Sequence, residues 1–219
     1  MSVFERPIVM LDFETTGLSP AMGDRITEVA ALRIVGGQVT ERYVSLVNCG
    51  ARIPSFITSL TGITQAMVDS APPAARVVPE LLDFIGADAL SAHNASFDEK
   101  FLKAESGRLG RSCGHAHLVC SLKLSRRVFP GLTSYKLGQL SGQLGIPFKS
   151  RAHRAEADAE VAAEVLIHIG RHLGASYGLG RVEPALLASL NKLSAAKVPV
   201  YLGKVAAGQA AANKAAQAS

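Results

Sequence analysis

Ile8-Val9-Met10-Leu11-Asp12-Phe13-Glu14-Thr15-Thr16-Gly17 is the stretch on which the fold turns. Four apolar residues open a buried strand that ends near Glu14. Successive strand side chains alternate between faces, so Asp12 and Glu14 point the same way. They close an apolar run, where an unpartnered carboxylate is costly. Two adjacent carboxylates repel, and a divalent cation relieves that repulsion. A strand end emerging into solvent also carries acids, so the pair alone leaves both readings open.

Downstream, Ile26 to Val35 and Gln38 to Val47 are β-rich and joined by Gly36-Gly37, a strong hairpin signal. Three antiparallel strands therefore come first. Short helical pieces follow near Ser55–Leu60 and Thr64–Val68, then a helix from about Arg76 to Ile85. Ala89–Ala92 and Leu118–Cys120 read as short strands. A helix starts after Ser96, with Ser96 and Glu99 in capping-box spacing. Further helices are expected near Ser121–Arg127 and Ser134–Leu144, and a long amphipathic one over Glu156–His172, closed by Gly174. The pattern predicts an α/β mixed sheet with helices on both faces. The glycines at 174, 178 and 180 set a main domain over 1–174 apart from an extension over 175–219. That extension holds a short helix near Pro184–Leu193 and an Ala/Lys-rich end whose composition suits frayed helix or flexible tail.

The 219 residues include 48% hydrophobic and 19% charged residues, enough apolar material for a core, which excludes disorder throughout. No apolar run has the length of a membrane span, and Glu5-Arg6-Pro7 does not suit a signal peptide. Three cysteines, Cys49, Cys113 and Cys120, imply no disulfide framework. These features predict a cytoplasmic protein without a membrane partner. Cys113, His115, His117 and Cys120 fit no common zinc spacing. The net charge of +5 is unevenly spread. Residues 1–99 hold 6 basic and 12 acidic residues, whereas residues 100–154 hold 11 basic residues and one acid, Glu105. Residues 184–219 carry four lysines and no acid. A concentrated basic middle suits a polyanion, or a solvated face.

Two more acids stand where core residues belong. Asp98, in the first turn of its helix, shares a stripe with Phe101, Leu102 and Glu105. Dipole complementation alone would place an acid there, but facing solvent. Asp158 aligns with Val161, Ala162, Val165 and Ile169 and also points inward. His153 lies five residues earlier and off that stripe, on the preceding loop. It reaches the site from the solvent side, as suits a group exchanging protons with bulk water.

In order, Asp12-x-Glu14, Asp98 and His153-x-x-x-x-Asp158 resemble the pattern of the DEDDh family of 3′–5′ exonucleases, which includes the proofreading epsilon subunit of bacterial DNA polymerase III. The segments from Phe56 to Thr64 and from Pro130 to Leu137 look familial too, and the resemblance covers about residues 6–173. It implies a ribonuclease H-like fold with a five-stranded mixed sheet. It also implies two divalent ions, Mg²⁺ or Mn²⁺, about 3.5–4 Å apart and clamping the scissile phosphate. Asp12 would bridge both ions, Glu14 and Asp158 would complete the nucleophile-side metal, and Asp98 would support the second. His153 would take the proton from the attacking water, and the product would be a nucleoside 5′-monophosphate.

The same resemblance implies substrate contacts at Thr15, whose backbone would meet the terminal 3′-OH, and at Leu18, which would wedge between the last two bases unless it is a core leucine. Asn94 would contact the terminal nucleotide or orient the metal site, and His93 would lie near the phosphate or base. Lys100, Lys103, Arg126, Arg127, Lys149, Arg151 and Arg154 are candidates to track the phosphate backbone, some of them simply solvated. The expected partner is a nucleic acid 3′ end, single-stranded DNA first and RNA as the alternative. A catalytically silent binding module of the same fold is the other class. A polymerase or replisome partner would need apolar anchors in the tail, where Val198, Val200, Tyr201, Leu202 and Val205 are available.

Overall fold

The computed structural model describes residues 2–148 and 152–217, so Lys149 and Arg151 lie outside the described residues. Five strands form the central sheet: β2 (Ile8–Thr15), β3 (Ile26–Val35), β4 (Gln38–Leu46), β5 (Ala89–Ala92) and β6 (Leu118–Cys120). A two-residue strand, β1 (Ser2–Val3), precedes them. The sheet order is β4-β3-β2-β5-β6. β2–β3 and β3–β4 pair antiparallel, while β2–β5 and β5–β6 pair parallel. This is the mixed sheet of a ribonuclease H-like α/β fold, with three antiparallel strands first. Gly36 and Gly37 both have positive φ, as a tight hairpin between twisted strands requires.

Strand alternation sorts the core into two layers. Ile8 and Met10 of β2, with Ala30, Leu32 and Ile34 of β3, pack against the long helix α7 (Ala155–Tyr177). Val9, Leu11 and Phe13, with Val29 and Ala31, pack on the other face. Two short helices, α1 (Ser55–Thr61) and α2 (Gln65–Asp69), follow β4, and this second layer then meets α3 (Ala74–Ile85) and α4 (Ser96–Arg108), the latter through Phe101 and Leu102. Extending the first stripe along β2 puts Asp12 and Glu14 on the α7 face. Extending it along β3 puts Glu28 there, directly opposite Glu14 in the register.

Several element ends differ from the expectation. Ser96 is the first residue of α4 and Ala95 its cap, so no capping box forms. The start is set instead by Asn94, which sits in the left-handed region at φ 73 and whose carbonyl accepts the Phe97 N–H. The helix α5 (Ser121–Val128) lies where expected, but α6 (Leu137–Gln143) begins three residues late. Gly174 does not close α7; it is buried within the helix, and Gly178 at φ 64 ends it.

Beyond α7 come β7 (Arg181–Val182), α8 (Pro184–Leu190) and α9 (Val198–Gln217). β7 pairs in parallel with β1, tying the N-terminal strand to the extension. Val182, Leu187, Leu190, Val198 and Leu202 join the same buried cluster as Ile8 and Met10. The Ala/Lys-rich end is helix through Gln217. Of the five apolar anchors in the tail, Val198 and Leu202 are buried, Tyr201 and Val205 pack against the core, and Val200 is exposed.

Candidate metal centre

Asp12, Glu14 and Asp158 each offer a carboxylate oxygen within 4.8 Å of the other two. They form the one such cluster of His, Cys, Asp or Glu side chains among the described residues. The two strand acids project from β2 onto the start of α7, where Asp158 occupies the first turn. α7 is anchored there by Glu28, a buried acid of β3. Glu28 accepts from Arg154 Nε at 3.0 Å and from the Ala155 N–H at 2.9 Å. The five residues of the sequence pattern are thus joined by two more, Glu28 and Arg154.

The electrostatics are those of crowded, buried carboxyls that repel one another. Burial, then repulsion from Asp98, Asp158, Glu14 and Glu28, holds the Asp12 carboxyl well above its ordinary range. Burial, with Asp158 and Glu28 adding to it and Arg154 opposing, pushes Glu14 up to about 8. Asp98 is likewise pushed to about 8, mainly by burial and against the pull of its backbone hydrogen bonds. Asp158 is raised by burial, with the His153 backbone hydrogen bond lowering it. Four carboxyls whose ionisation is this unfavourable, three of them aimed at one point, fit a divalent cation with oxygen ligands.

Asp98 stands behind the cluster, buried with Phe101, Leu102 and Glu105 as its stripe implied. Its Oδ1 accepts the Phe13 N–H at 3.2 Å, which fixes α4 against the strand carrying Asp12 and Glu14. Glu105, seven residues on, binds Arg25 Nε at 2.6 Å and ties the same helix to the start of β3. His153 is exposed on the loop before α7, at φ 62. Its backbone N–H donates to Asp158 Oδ2 at 3.1 Å, which ties the residue's backbone beside the cluster while the residue stays open to water.

The substrate-contact candidates lie at the same end of the sheet. Thr15 is buried and its hydroxyl donates to the Gly17 carbonyl at 2.6 Å. Leu18 is 78% exposed and so is no core leucine. Asn94 is exposed. Both ring nitrogens of His93 are engaged, Nδ1 with Ser121 Oγ and Nε2 with the Tyr135 carbonyl, each at 2.9 Å. The carbonyl requires a proton on Nε2, so a neutral ring then accepts from Ser121. Among the basic candidates, Arg154 is taken up by Glu28, Lys103 by Glu99 and Lys100 by the Leu18 carbonyl. Arg127 donates to the Leu193 carbonyl at 2.6 Å. Arg126 is exposed and lies over the Tyr135 ring.

Fold and site together define a nuclease-like acidic centre on a ribonuclease H-like sheet. The RNase T family, described as exonuclease, matches residues 9–166, and the chain belongs to that family as a DEDDh-type 3′–5′ exonuclease, a hydrolase of phosphodiester bonds. It is 39% identical over 161 residues to the 3′–5′ exonuclease DinG of Bacillus subtilis, covering 74% of this chain but 17% of that protein. It is 35% identical over 179 residues to the DNA polymerase III subunit epsilon of Aquifex aeolicus, covering 82% of this chain and 88% of that one. Among solved structures, exonuclease X in complex with 5′ overhanging duplex DNA aligns with a TM-score of 0.67 and 26% identity. That alignment covers 84% of this chain and 99% of exonuclease X. No helix among the described residues is long and apolar enough to cross a membrane.

Proposed function

We propose that this chain removes nucleoside 5′-monophosphates one at a time from the 3′ end of DNA, with single strands as the preferred form. The observation that carries the reading is the convergence of Asp12, Glu14 and Asp158 oxygens beside an exposed, tethered His153. Two Mg²⁺ or Mn²⁺ ions would be held by Asp12 in common, by Glu14 and Asp158 on one side, and by Asp98 on the other. When bound, such ions supply Lewis-acid stabilisation of both the attacking and the leaving oxygens of an in-line displacement.

The chain's own groups do the rest. His153 accepts a proton from the attacking water and passes it to solvent, which its exposure allows. The water oxygen bonds to phosphorus as the bond from phosphorus to the 3′ oxygen breaks. That leaves a mononucleotide 5′-phosphate and a strand with a new 3′-OH. The Thr15 backbone would meet the terminal sugar and Leu18 would wedge at the last base step, a role that the exposure of Leu18 supports. Asn94 would reach the terminal nucleotide. His93, with both nitrogens bonded, would hold the Asn94 turn rather than bind phosphate itself.

DNA is favoured over RNA by the relative that is alike over most of its length, a DNA polymerase subunit. Side-by-side digestion of DNA and RNA oligonucleotides of one sequence tests this; faster release from RNA would overturn it. A polymerase partner would have Val200 as its one exposed apolar anchor among the five in the tail. Pull-down with and without residues 184–219 tests that partner.

A further inference from the structure

We propose that α5 and the C-terminal extension together form a second contact surface, which holds the sugar–phosphate backbone of the substrate strand on the 5′ side of its terminal nucleotide. The proposal rests on the exonuclease reading of the acidic centre and extends it to the C-terminal extension, which lies beyond the family match at 9–166. No Asp or Glu occurs between Glu105 and Glu156, nor after Glu183. The fold brings these two acid-free segments into contact. Arg127 Nε of α5 donates to the Leu193 carbonyl at 2.6 Å. The Asn191 side chain brackets Cys120, accepting its N–H at 2.6 Å and donating to its carbonyl.

Lys123 and Arg126 are exposed on one face of α5, and Lys192 and Lys197 are exposed on the turns that abut it. None of these four makes an ion pair among the described residues, whereas Arg25, Arg33, Arg42 and Arg154 spend their charge on carboxylates. Unpaired cations drawn from two acid-free segments suit a repeating anion rather than a protein surface of mixed sign.

The face also connects to the acidic centre. Arg126 lies 5.8 Å from the Tyr135 ring centroid, and the Tyr135 carbonyl bonds His93. His93 follows β5, two residues past the Ser91 that pairs with Met10, just as Asp12 lies two residues past Met10 on the neighbouring strand. A strand leaving the centre past His93 therefore reaches Tyr135 and Arg126, at the edge of this face.

On single strands each neutralised phosphate contributes about 0.7 to the slope of log affinity against log salt. The triple variant Lys123→Ala, Lys192→Ala, Lys197→Ala should therefore lower that slope by about 2. The test is fluorescence anisotropy with the full chain in EDTA, so that the strand is held but not cut. Labelled oligothymidylates of three and of twenty nucleotides are titrated between about 50 and 200 mM salt. The expected result is a lower slope and weaker binding for the twenty-mer, with the trimer unchanged. An unchanged twenty-mer slope, or an equal loss on both lengths, would overturn the proposal. So would an equal loss in a triple variant of paired cations elsewhere, Arg76→Ala, Arg111→Ala, Arg181→Ala. Binding is read without turnover, so a chain that cuts nothing would end the exonuclease reading while leaving this result to stand or fall separately.

Discussion

Raising the pH from 6 to 7 without divalent cations should weaken the fold, and adding Mg²⁺ should restore it. Glu14 and Asp98 move from ordinary values of 4.5 and 3.8 to about 8 in the folded chain. At pH 6 the unfolded chain has released both protons, while the fold still holds them. A carboxyl whose folded pKa is raised contributes stability that is whole below its unfolded pKa and is lost as pH climbs through the folded one. Between those values each group costs on the order of 1 kcal/mol per pH unit, so the pair costs roughly 2–3 kcal/mol from pH 6 to pH 7. Asp12, raised by the same burial and repulsion, acts in the same direction. The cation binds the ionised carboxylates, so its stabilisation should grow with pH over this window. Urea melts at half-unit steps from pH 6 to 7.5, with EDTA or with Mg²⁺, measure both effects. Asp98→Asn should remove about half of the slope in EDTA. Stability in EDTA that is flat or rising with pH would refute the reasoning, as would a Mg²⁺ effect independent of pH.

Glu28→Gln keeps an acceptor for the Ala155 N–H but loses the charge facing Arg154. It should cost about 1–3 kcal/mol in urea melts and lower kcat more than it raises KM, because the start of α7 carries both Asp158 and His153. Gly170→Ala would drive a Cβ to 2.6 Å from Val3 Cγ1 where α7 crosses β1, and should cost about 1–3 kcal/mol of stability while sparing the acidic centre. Asn191→Ala strands the Cys120 N–H beneath the extension and should cost about 1–3 kcal/mol, read by thermal melting.

The site was legible because its residues obey local periodicities. Asp12 and Glu14 continue the two-residue alternation of Ile8 and Met10, while Asp98 and Asp158 stand on the buried, largely apolar stripes of their helices. The hairpin glycines fixed the order of the first three strands. Glu28 escaped notice because an acid in a strand reads as solvent-facing, and its partner Arg154 is distant in sequence. β1 and β7 are two residues each, too short for any period, and their pairing joins the two ends of the chain. Ser96 and Glu99 had the spacing of a capping box, but the left-handed turn at Asn94 started the helix one residue too early for it. Gly174 looked like a helix stop by composition. A glycine within a helix can instead serve close packing, and the left-handed position fell at Gly178.

The most direct test is release of nucleotide from a 3′-labelled DNA strand by the full chain, with Mg²⁺ or EDTA, beside Asp12→Asn. The account predicts nucleoside 5′-monophosphate only with the divalent cation, and a loss of about 10³-fold or more in the variant. Undiminished release in EDTA, or by Asp12→Asn, would contradict it.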